Sequence, residues 1–513
     1  MKLQTLLQDV EVLELHADPE TEILGVAYDS RKVEKNGLFV AISGFASDGN
    51  RFIPMAMNRG AAVVVTAKRP EEDVPYVLVS NDRLALAKVS CNFYGHPAKS
   101  MKLVGITGTN GKTSVTLLLK AVLEKTRGAK VGLIGTMGNC IGAEQIPSER
   151  TTPESLELQG LFDRMRQAGC EYAVMEVSSH AIALDRVGGL RYDVAAFTNL
   201  TEDHLDFHKT MEAYRDTKAE LFRRCDKAVI NLDDPSGEAM LAAAACPVLT
   251  LGNQGALRAE QVELHARGVE FTAVYEGQRI PVSVPIPGRF TVYNALTVLG
   301  VALELGISLE ETAQALKTVS GVKGRIEVVP TPGMPYTVLI DYAHTPDGLE
   351  KVLLSARDFC KGRLIAVFGC GGDRDPIKRP IMGKIGVQCA DFSVITSDNP
   401  RTEEPMAIIR DILQGIEPEM GEYTVIEDRR KAIRYAMDIG KKDDIIVLAG
   451  KGHETYQDIG GHKYHLDERE EVQSYRRFIG SRSPPQPNTA ISRPLQKSRT
   501  DSKTFSRPSG VWA

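Results

Sequence analysis

The sequence predicts an α/β protein of three domains: a small N-terminal α/β domain, a central parallel-sheet domain with a glycine-rich loop, and a C-terminal Rossmann-like domain. The length of 513 residues corresponds to about three domains of ordinary size. Strand-like apolar runs alternate with helical patterns, as in parallel sheets. One such strand, Leu103–Ile106, leads through the glycine-rich loop into a helix predicted over Lys112–Lys125, whose apolar residues recur at helical spacing.

The first domain is predicted over residues 1–98 and the central domain over residues 99–325. The first domain is expected to contain strands at Gly37–Ile42 and Gly60–Val65 and a helix at Asp82–Phe93. In the central domain we expect further strands at Tyr172–Val177, Val194–Thr198 and Lys227–Asn231, and a hairpin over Val269–Val284 that turns near Glu276-Gly277.

The third domain is predicted over residues 326–482, and it lacks a GxGxxG fingerprint in the expected place. Its strands are expected at Thr337–Ile340, Leu364–Gly369, Phe392–Thr396 and Asp444–Ala449. Residues 483–513 are rich in Ser, Pro, Thr, Lys and Arg and include the single tryptophan, Trp512. Such a composition cannot bury a core, so a disordered tail is predicted there.

The bulk composition is typical of a cytosolic globular protein. Hydrophobic residues make up 42% of the chain and charged residues 25%, and the net charge of −5 favours neither a nucleic acid nor a membrane as partner. The eight cysteines are scattered without a CxxC pair, as reduced structural thiols are. The chain reaches Asp9 without an apolar run, so no signal peptide and no membrane insertion are expected. We predict a cytoplasmic monomer that acts on small molecules.

The run Val104-Gly-Ile-Thr-Gly-Thr-Asn-Gly-Lys-Thr-Ser114 is a candidate phosphate-binding loop. Glycine lets backbone N–H groups close around phosphate oxygens, and the following helix directs its positive end at the same anion. Lys112 is suited to the β- and γ-phosphates, and the Thr113 hydroxyl to Mg²⁺. Ile106 stands where the strict pattern requires glycine, so a variant loop is expected. The predicted nucleotide-binding residues of the loop are Gly108, Thr109, Asn110, Gly111, Lys112, Thr113 and Ser114.

Three further residues are candidates for chemistry next to this loop. Glu176 ends an apolar strand, and an acid at the carboxyl edge of a parallel sheet beside a phosphate loop is suited to ligate Mg²⁺. His204 follows another strand and is a candidate metal ligand, although a lone histidine is more often structural. Lys218 lies on a predicted helix, and by itself it has the pattern of a surface lysine.

An ordered set of motifs runs from residue 1 to about residue 480. The motifs are Asp29-Ser-Arg31, Thr107–Thr113, Thr151-Thr-Pro153, Glu176–His180, Asn199–Asp206, Tyr293-Asn294, Gly324-Arg325, Asp341–Pro346, Gly371–Asp375, Asp398-Asn-Pro-Arg401 and Gly450–Glu454. Each is weak alone, but the ordered set resembles the Mur ligase family, the ATP-dependent amide-bond-forming enzymes of peptidoglycan synthesis. The resemblance is greatest to the MurE type, which adds the third residue of the stem peptide.

The resemblance implies ATP as co-substrate and Mg²⁺ as cofactor. It implies that Asn294 faces adenine, Arg325 the γ-phosphate and Asp341 the ribose. Ser30, with the segment Gly44–Gly49, would hold the uridine diphosphate end of UDP-MurNAc-L-Ala-D-Glu. The residues implied to contact the muramoyl-dipeptide are Thr151, Thr152, Ser178 and Arg186.

In the family the lysine that matches Lys218 is carbamylated. A free ammonium would repel Mg²⁺, whereas a carbamate presents carboxylate-like oxygens to it. The implied metal ligands are Thr113, Glu176, His204 and Lys218 as N6-carboxylysine, and the implied catalytic residues are Lys112, Glu176, His204, Lys218 and Arg325. The implied reaction phosphorylates the D-glutamyl carboxylate, and an incoming amino group then attacks the acyl phosphate. The residues act by positioning and charge neutralisation.

The identity of the incoming amino acid depends on its distal end. Meso-2,6-diaminopimelate carries a carboxylate there that L-lysine lacks, and arginine grips both oxygens of such a group. Arg401 is the candidate, and lysine-adding relatives usually lack this arginine; the alternative is that it caps a surface loop. The other residues implied around the amino acid are Arg374, Asp398, Asn399, Pro400, Gly450 and Glu454.

Other functions fit the sequence less well. The same reaction with L-lysine stays open, and a folylpolyglutamate synthetase-like ligase is disfavoured by Asp29-Ser-Arg31 and Asp398-Asn-Pro-Arg401. A non-catalytic ATP-binding protein is disfavoured because every metal position and Lys218 are occupied. A nucleic-acid motor is disfavoured by the slightly acidic charge. Ligands divided among three domains also predict that the domains close when they bind.

Overall fold

The computed structural model describes residues 1–44, 48–148, 150–319 and 321–479, for 476–479 the backbone alone. The predicted tail, residues 483–513 with Trp512, lies outside the described residues, as do residues 45–47 of the segment implied to bind uridine diphosphate. The described chain forms three α/β domains, each built on its own main sheet, which confirms the predicted fold class.

The N-terminal sheet is small and mostly parallel. Its strands are β1 (Val12–His16), β2 (Gly25–Ala27), β3 (Gly37–Ala41), β4 (Ala61–Thr66) and β5 (Tyr76–Val79), and its helices are α1 (Leu3–Leu6), α2 (Ile53–Asn58) and α3 (Asp82–Phe93), with 3₁₀ turns at Ser30–Lys32, Gly49–Phe52 and Pro97–Ser100. The strand order is β1-β5-β4-β3-β2, and β1 alone runs antiparallel to its neighbour. The Asn81 side chain caps α3. The helix and both strands predicted here are confirmed.

The central sheet has eight strands. They are β6 (Lys102–Thr107), β7 (Val131–Ile134), β8 (Asn139–Ile141), β9 (Glu144–Ile146), β10 (Tyr172–Glu176), β11 (Tyr192–Phe197), β12 (Cys225–Asn231) and β13 (Val248–Leu251). The order is β13-β12-β11-β6-β10-β7-β8-β9, parallel as far as β7 and antiparallel beyond it. Strand β6 lies between β10 and β11, so the carboxyl ends of these three strands meet at one edge.

Helices and a second, smaller sheet complete the central domain. The helices are α4 (Lys112–Arg127), α5 (Ser155–Gln167), α6 (Ser179–Ala183), α7 (Leu205–His208), α8 (Met211–Ala219), α9 (Gly237–Ala243), α10 (Arg289–Glu304) and α11 (Leu309–Leu316), with a 3₁₀ turn at Glu220–Arg223. The antiparallel sheet is β14 (Arg258–His265), β15 (Gly268–Tyr275) and β16 (Gln278–Val284). The predicted hairpin is β15–β16, and its turn at Glu276-Gly277 has positive φ at both residues, as a tight hairpin requires.

The C-terminal sheet has six strands, of which only the first is antiparallel. They are β17 (Glu327–Val329), β18 (Thr337–Asp341), β19 (Leu364–Phe368), β20 (Phe392–Ile395), β21 (Tyr423–Val425) and β22 (Ile445–Ala449), in the order β17-β18-β22-β19-β20-β21. The helices are α12 (Pro346–Arg357), α13 (Lys378–Cys389), α14 (Pro405–Leu413), α15 (Arg429–Asp438) and α16 (Glu468–Ile479), and a ribbon of β23 (Tyr456–Ile459) and β24 (His462–His465) is added. All four predicted strands are confirmed. None of the helices in the described part of the chain combines the length and the hydropathy that a membrane crossing requires.

Candidate active site

The loop between β6 and α4 depends on its glycines. Gly108 and Gly111 have φ values of 146° and 85°. A Cβ on Gly108 would overlap Thr198 Oγ1, and one on Gly111 would lie 2.6 Å from Asn294 Oδ1. Ile106, where the strict loop pattern requires glycine, is instead buried inside β6. In this variant loop the strand therefore continues through Ile106 and Thr107 before the loop begins.

A second loop, residues 198–201, supports the first through hydrogen bonds. The N–H groups of Thr109 and Asn110 donate to Asn199, at 2.8 Å to its carbonyl oxygen and 2.9 Å to Oδ1. Thr198 Oγ1 donates to Asn110 O at 2.6 Å, and the N–H of Thr201 donates to Thr109 Oγ1 at 3.0 Å. The two loops form one rigid unit at the edge where β6 and β11 end. The sequence pattern did not predict this supporting role.

Two lysines converge on the same loop carbonyl. Lys112, which with Thr113 and Ser114 forms the first turn of α4, donates from Nζ to the carbonyl oxygens of Gly108 and Thr109 at 2.9 Å. Lys218 on α8 is 1% exposed and also donates to Gly108 O at 2.9 Å. Burial, and then the nearby charge of Lys112, holds the pKa of Lys218 well below its usual value. This environment disfavours the charged form of unmodified Lys218.

Glu176 is a buried carboxylate surrounded by neutral donors. It ends β10, is 1% exposed, and accepts from Thr113 Oγ1 at 3.0 Å to each oxygen. Thr136 donates its N–H at 2.9 Å and its hydroxyl at 3.1 Å. Among the described residues no cation pairs with this carboxylate. A hard divalent cation such as Mg²⁺ fits this donor set of carboxylate and hydroxyl oxygens. Thr136 was missed because a threonine after a short strand carries no distinctive pattern.

His204 lies in an aromatic cluster with the lysine. Its backbone has a φ of 54°, and Nδ1 is 3.4 Å from Asp203 Oδ1. Its ring centroid is 4.8 Å from that of His180 and 6.2 Å from that of Tyr214. The Lys218 ammonium is 4.6 Å from the same Tyr214 ring. Tyr214 therefore joins the two predicted metal ligands His204 and Lys218, and no sequence signal identified it.

The threonines predicted to contact the muramoyl-dipeptide lie beside Glu176. Thr151 Oγ1 is 3.0 Å from Thr136 Oγ1. Thr152 Oγ1 donates to Glu176 O at 2.8 Å and accepts from the N–H of Ser178 at 3.2 Å. This hydrogen-bond chain connects the candidate metal site with the candidate dipeptide site.

Arg186, also predicted to contact the muramoyl-dipeptide, and Ser30, predicted to hold the uridine diphosphate end, have different surroundings. Arg186 donates from Nη1 to Thr152 O at 3.2 Å, so it belongs to the same cluster. Ser30 is buried in the first domain, where its Oγ is 3.3 Å from Met55 Sδ. No hydrogen bond in the described chain connects Ser30 with the central cluster. A substrate that contacts both must therefore extend across two domains.

The residues predicted to contact adenine and the γ-phosphate lie on separate segments of the chain. Asn294 is buried on α10, with its side-chain oxygen against Gly111. Arg325 lies in the segment that connects the central and third domains, with its guanidinium carbon 5.7 Å from the Tyr342 ring centroid.

Asp341 holds the backbone of the connecting segment. It ends β18 and is buried, which raises the pKa of its carboxyl group. Oδ2 accepts the N–H of Ile326 and Oδ1 that of Ala343, each at 2.8 Å. A contact with ribose would use the remaining lone pairs of these oxygens.

Three of the residues implied to surround the amino acid share one buried ammonium. Lys451 is 0% exposed, and its Nζ is 2.5 Å from Asn399 Oδ1, 3.3 Å from Glu454 Oε2 and 3.7 Å from Asp398 Oδ1. A Cβ on Gly450 would overlap Asp398 Oδ2, so glycine is required there. Lys451 was part of a recognised motif, but its organising position was not predicted. Behind it, Arg429 pairs with the buried Glu468 at 2.8 Å, a contact without any sequence signal.

Arg401 is fixed between two loops and keeps free donors. Its Nη1 donates to Gly372 O at 2.5 Å, and its backbone N–H donates to Asp458 O at 3.0 Å. No carboxylate in the described part of the chain lies within ion-pairing distance of its guanidinium. The neighbouring Pro400 is buried, and Arg374 is exposed on the adjacent loop. An unpaired, half-buried guanidinium of this kind can receive a carboxylate from a ligand.

Comparisons with known proteins match the same family in all three domains of the chain. Three family models match: the Mur ligase family catalytic domain over residues 22–94, the Mur ligase middle domain over 106–302 and the Mur ligase glutamate ligase domain over 324–452. The UDP-N-acetylmuramoyl-L-alanyl-D-glutamate–2,6-diaminopimelate ligase of Clostridium botulinum is 49% identical over 481 residues, covering 92% of this chain and 99% of that protein. The enzyme of the same name from Caldanaerobacter subterraneus is 49% identical over 477 residues, covering 92% and 98%.

A solved structure agrees with these sequence matches. A ligase of the same name has 31% sequence identity and a TM-score of 0.77, and the similarity covers 94% of this chain and 100% of that one. The identity extends through all three domains rather than through the phosphate-binding loop alone. The chain belongs to the Mur ligase family.

Proposed function

We propose that this protein is an ATP-dependent ligase that joins meso-2,6-diaminopimelate to UDP-MurNAc-L-Ala-D-Glu, a cytoplasmic step of peptidoglycan precursor synthesis. One observation carries the proposal: a relative that bears the name of this ligase is 49% identical over 92% of the chain. The arrangement of the candidate site supports the same reaction, which we expect a monomer to catalyse.

ATP is bound by the loop between β6 and α4. The N–H groups of the loop and the first turn of α4 surround the phosphates, and the Asn199 contacts keep the loop in shape without ligand. Lys112 leaves its loop carbonyls to contact the β- and γ-phosphates. Arg325 reaches the γ-phosphate from the connecting segment. The transferred group thus meets positive charge from two domains, which phosphoryl transfer requires.

Mg²⁺ would be held by Thr113, Glu176, His204 and Lys218, and when bound it neutralises charge on the phosphate oxygens. The buried Glu176, with only neutral partners among the described residues, supports this assignment. Unmodified Lys218 does not fit a cation site. Its ammonium form would repel the metal, and its neutral form would offer Mg²⁺ a single nitrogen and no oxygen. Carbamylation resolves the conflict, since a lowered pKa favours the neutral amine, the form that reacts with carbon dioxide.

The chain then activates a carboxylate. The D-glutamyl carboxylate of the nucleotide substrate attacks the γ-phosphate of ATP, giving an acyl phosphate and ADP. The amino group of the incoming amino acid attacks the acyl carbon and displaces phosphate. Thr151, Thr152 and Arg186 orient the acceptor, and the hydrogen bond between Thr151 and Thr136 keeps it beside Glu176. No side-chain nucleophile takes part in this scheme.

The amino acid is selected in the third domain. Arg401 pairs with the distal carboxylate of diaminopimelate, and its unpaired guanidinium supports this role. Asp398, Asn399 and Glu454, which Lys451 holds in one orientation, bind the remaining polar groups. L-lysine lacks the distal carboxylate and would leave Arg401 without a partner, which disfavours it strongly.

Phosphate release from ATP with UDP-MurNAc-L-Ala-D-Glu, measured with diaminopimelate and with L-lysine, tests the proposal. We expect release with diaminopimelate only. Release with lysine only would keep the ligase and overturn the role of Arg401. Release with neither amino acid would overturn the proposed function. The Lys112→Ala variant is the matched control, because it removes the phosphate contact and must be inactive with both.

A further inference from the structure

Arg469 lies where two segments of the candidate site meet. It belongs to α16, its side chain is 12% exposed, and it grips Glu327 with two nitrogens, Nε at 2.8 Å from Oε1 and Nη2 on Oε2. Nη2 also donates to the carbonyl oxygen of Gly452 at 2.9 Å. One guanidinium thus connects the start of β17 with the Gly450–Glu454 loop.

Glu327 in turn holds the turn that carries Arg325. Its Oε2 accepts the N–H of Gly324 at 2.6 Å. The turn is an unfavourable one, because Ile326 has a φ of 41°, a conformation that β-branched residues rarely adopt. Such a backbone persists only when its surroundings fix it. Glu327 and Asp341 provide that restraint from the two sides of Arg325.

The two segments are also in direct backbone contact. Gly324 has a φ of 73°, and a Cβ on it would overlap the backbone of Gly452. The peptide before Arg325 therefore lies against the loop that contains Lys451 and Glu454. At this contact Arg469 donates hydrogen bonds to both segments, to Glu327 on one side and to Gly452 on the other.

We infer that Arg469 is a positioning residue that couples the ATP half of the site to the amino-acid half. It acts through Glu327 on Arg325 and through Gly452 on the loop that contains Lys451 and Glu454. Movement of the third domain toward the phosphates would then carry both groups together. The inference rests on the proposed function, because it gives Arg325 and the Gly450–Glu454 loop their ligands.

A double-mutant cycle on kcat tests the inference. Arg325→Ala removes the phosphate contact, and Arg469→Lys keeps the charge of Arg469 but loses its two-nitrogen grip. We expect Arg469→Lys to lower kcat about tenfold and to raise KM for both ATP and diaminopimelate. Because Arg469 acts on the phosphate contact through Arg325, the double variant should have the same kcat as Arg325→Ala alone. KM for diaminopimelate should still be raised by Arg469→Lys, because the bond from Arg469 to Gly452 does not pass through Arg325. Glu327→Gln should reproduce the effect of Arg469→Lys on kcat and on KM for ATP, and combining these two changes should lower kcat no further than Arg469→Lys alone.

The controls separate positioning from folding. Arg410→Ala removes an exposed arginine and its ion pair with Glu404 from the same domain, and it should leave kcat and both KM values unchanged. Melting temperatures show whether Arg469→Lys is folded. Multiplicative losses in the double variant, or a KM change for one substrate only, would overturn the inference and leave the proposed function intact. A wild-type protein without ligase activity would overturn both.

Discussion

A positive charge on a lysine that is buried beside a phosphate-binding loop is unfavourable. The lysine can avoid this charge in two ways, by losing its proton or by forming a covalent adduct. Burial lowers the pKa of Lys218, which favours the first option. The proposed carbamate is the second option. It replaces an ammonium group that would repel Mg²⁺ with oxygen atoms that can bind it. The same nitrogen that now bonds to Gly108 O would then carry the negative group.

Lys218→Ala should lower the rate of phosphate release by at least about 100-fold, because one charged group of the transition-state site is lost. Acetate or another short carboxylic acid should restore part of the rate by entering the space of the missing carbamate. Lys317→Ala, at an exposed lysine of the same domain, is the control and should be fully active. Full activity of Lys218→Ala without added acid would contradict the carbamate.

Arg401→Ala should raise KM for diaminopimelate by about 100- to 1,000-fold and change KM for ATP little. Arg401→Lys should rescue only part of the loss, because an ammonium cannot bind both carboxylate oxygens in the plane of a guanidinium. Steady-state kinetics with each substrate varied in turn measures the two constants. Equal effects on both substrates would mean that Arg401 supports the loop rather than the ligand.

At the scale of single residues, sequence reasoning succeeds where a rule of topology applies. Thr113 and Glu176 were expected to be neighbours because both follow the carboxyl ends of parallel strands, and their side chains are indeed 3.0 Å apart. Lys451 and Arg469 could not be predicted in this way. Lys451 lies in a loop and Arg469 on α16, and the position of each depends on contacts with residues distant in the sequence, whereas charged residues are usually exposed.

Among the elements, the phosphate loop leaves no space for an added Cβ at Gly108. Gly108→Ala should abolish measurable ATP binding and destabilise the domain by about 1–3 kcal/mol, because the new Cβ overlaps Thr198 Oγ1 and breaks its bond to Asn110. Gly25→Ala is the matched control, since nothing lies within 4 Å of its Cβ. Calorimetric titration with an ATP analogue and denaturant unfolding measure the two effects. Unchanged ATP affinity in Gly108→Ala would show that the loop can relax.

His208, the last residue of α7, should make the free energy of unfolding depend on pH. Burial lowers the pKa of His208, whose Nε2 is 2.9 Å from Ser179 Oγ, from 6.5 to about 4. Between these values the unfolded chain binds a proton that the folded chain does not, so the free energy of unfolding falls as pH falls through this range. The expected contribution is on the order of 2 kcal/mol. His208→Gln removes the titrating group, so urea unfolding from pH 7 to pH 4 should show a shallower loss; parallel curves would exclude His208 as the cause.

Among the helices and strands, the ones that the sequence predicted contain buried apolar residues. Strands β19 and β22 are apolar along their whole length, β6 is buried from Leu103 to Thr107, and the sequence indicated each of them. Strand β14 was missed because Arg258–His265 is polar and without a buried residue. Its place in the sheet comes from pairing with β15, a tertiary contact that local patterns do not encode.

For the whole molecule, the contacts between domains indicate which part moves. Tyr28 OH donates to Glu157 Oε1 at 2.8 Å and Asn81 Nδ2 to Asp185 Oδ2 at 2.9 Å, so the first and central domains are joined by side chains. The connecting segment around Arg325 is fixed to the third domain. The first two domains should therefore move little, and the third should rotate toward them.

X-ray scattering should show a smaller radius of gyration when an ATP analogue, the nucleotide substrate and diaminopimelate are all present. ATP analogue alone should produce a smaller change, because the amino-acid loop then has no ligand. Scattering profiles that do not change with any ligand would contradict closure. The Arg410→Ala protein is a control for nonspecific effects and should behave as the wild type does.

The order of the central sheet has a consequence for biosynthesis. The phosphate loop follows β6, but its shape depends on Thr201, which is 92 residues further along the chain than Thr109. A ribosome that adds roughly 5–20 residues per second needs about 5–20 seconds to supply that support. Until then the nascent chain contains the residues of the phosphate loop but lacks the Thr201 contact that supports the loop. ATP is therefore expected to stabilise the nascent central domain only after β11 has been inserted beside β6.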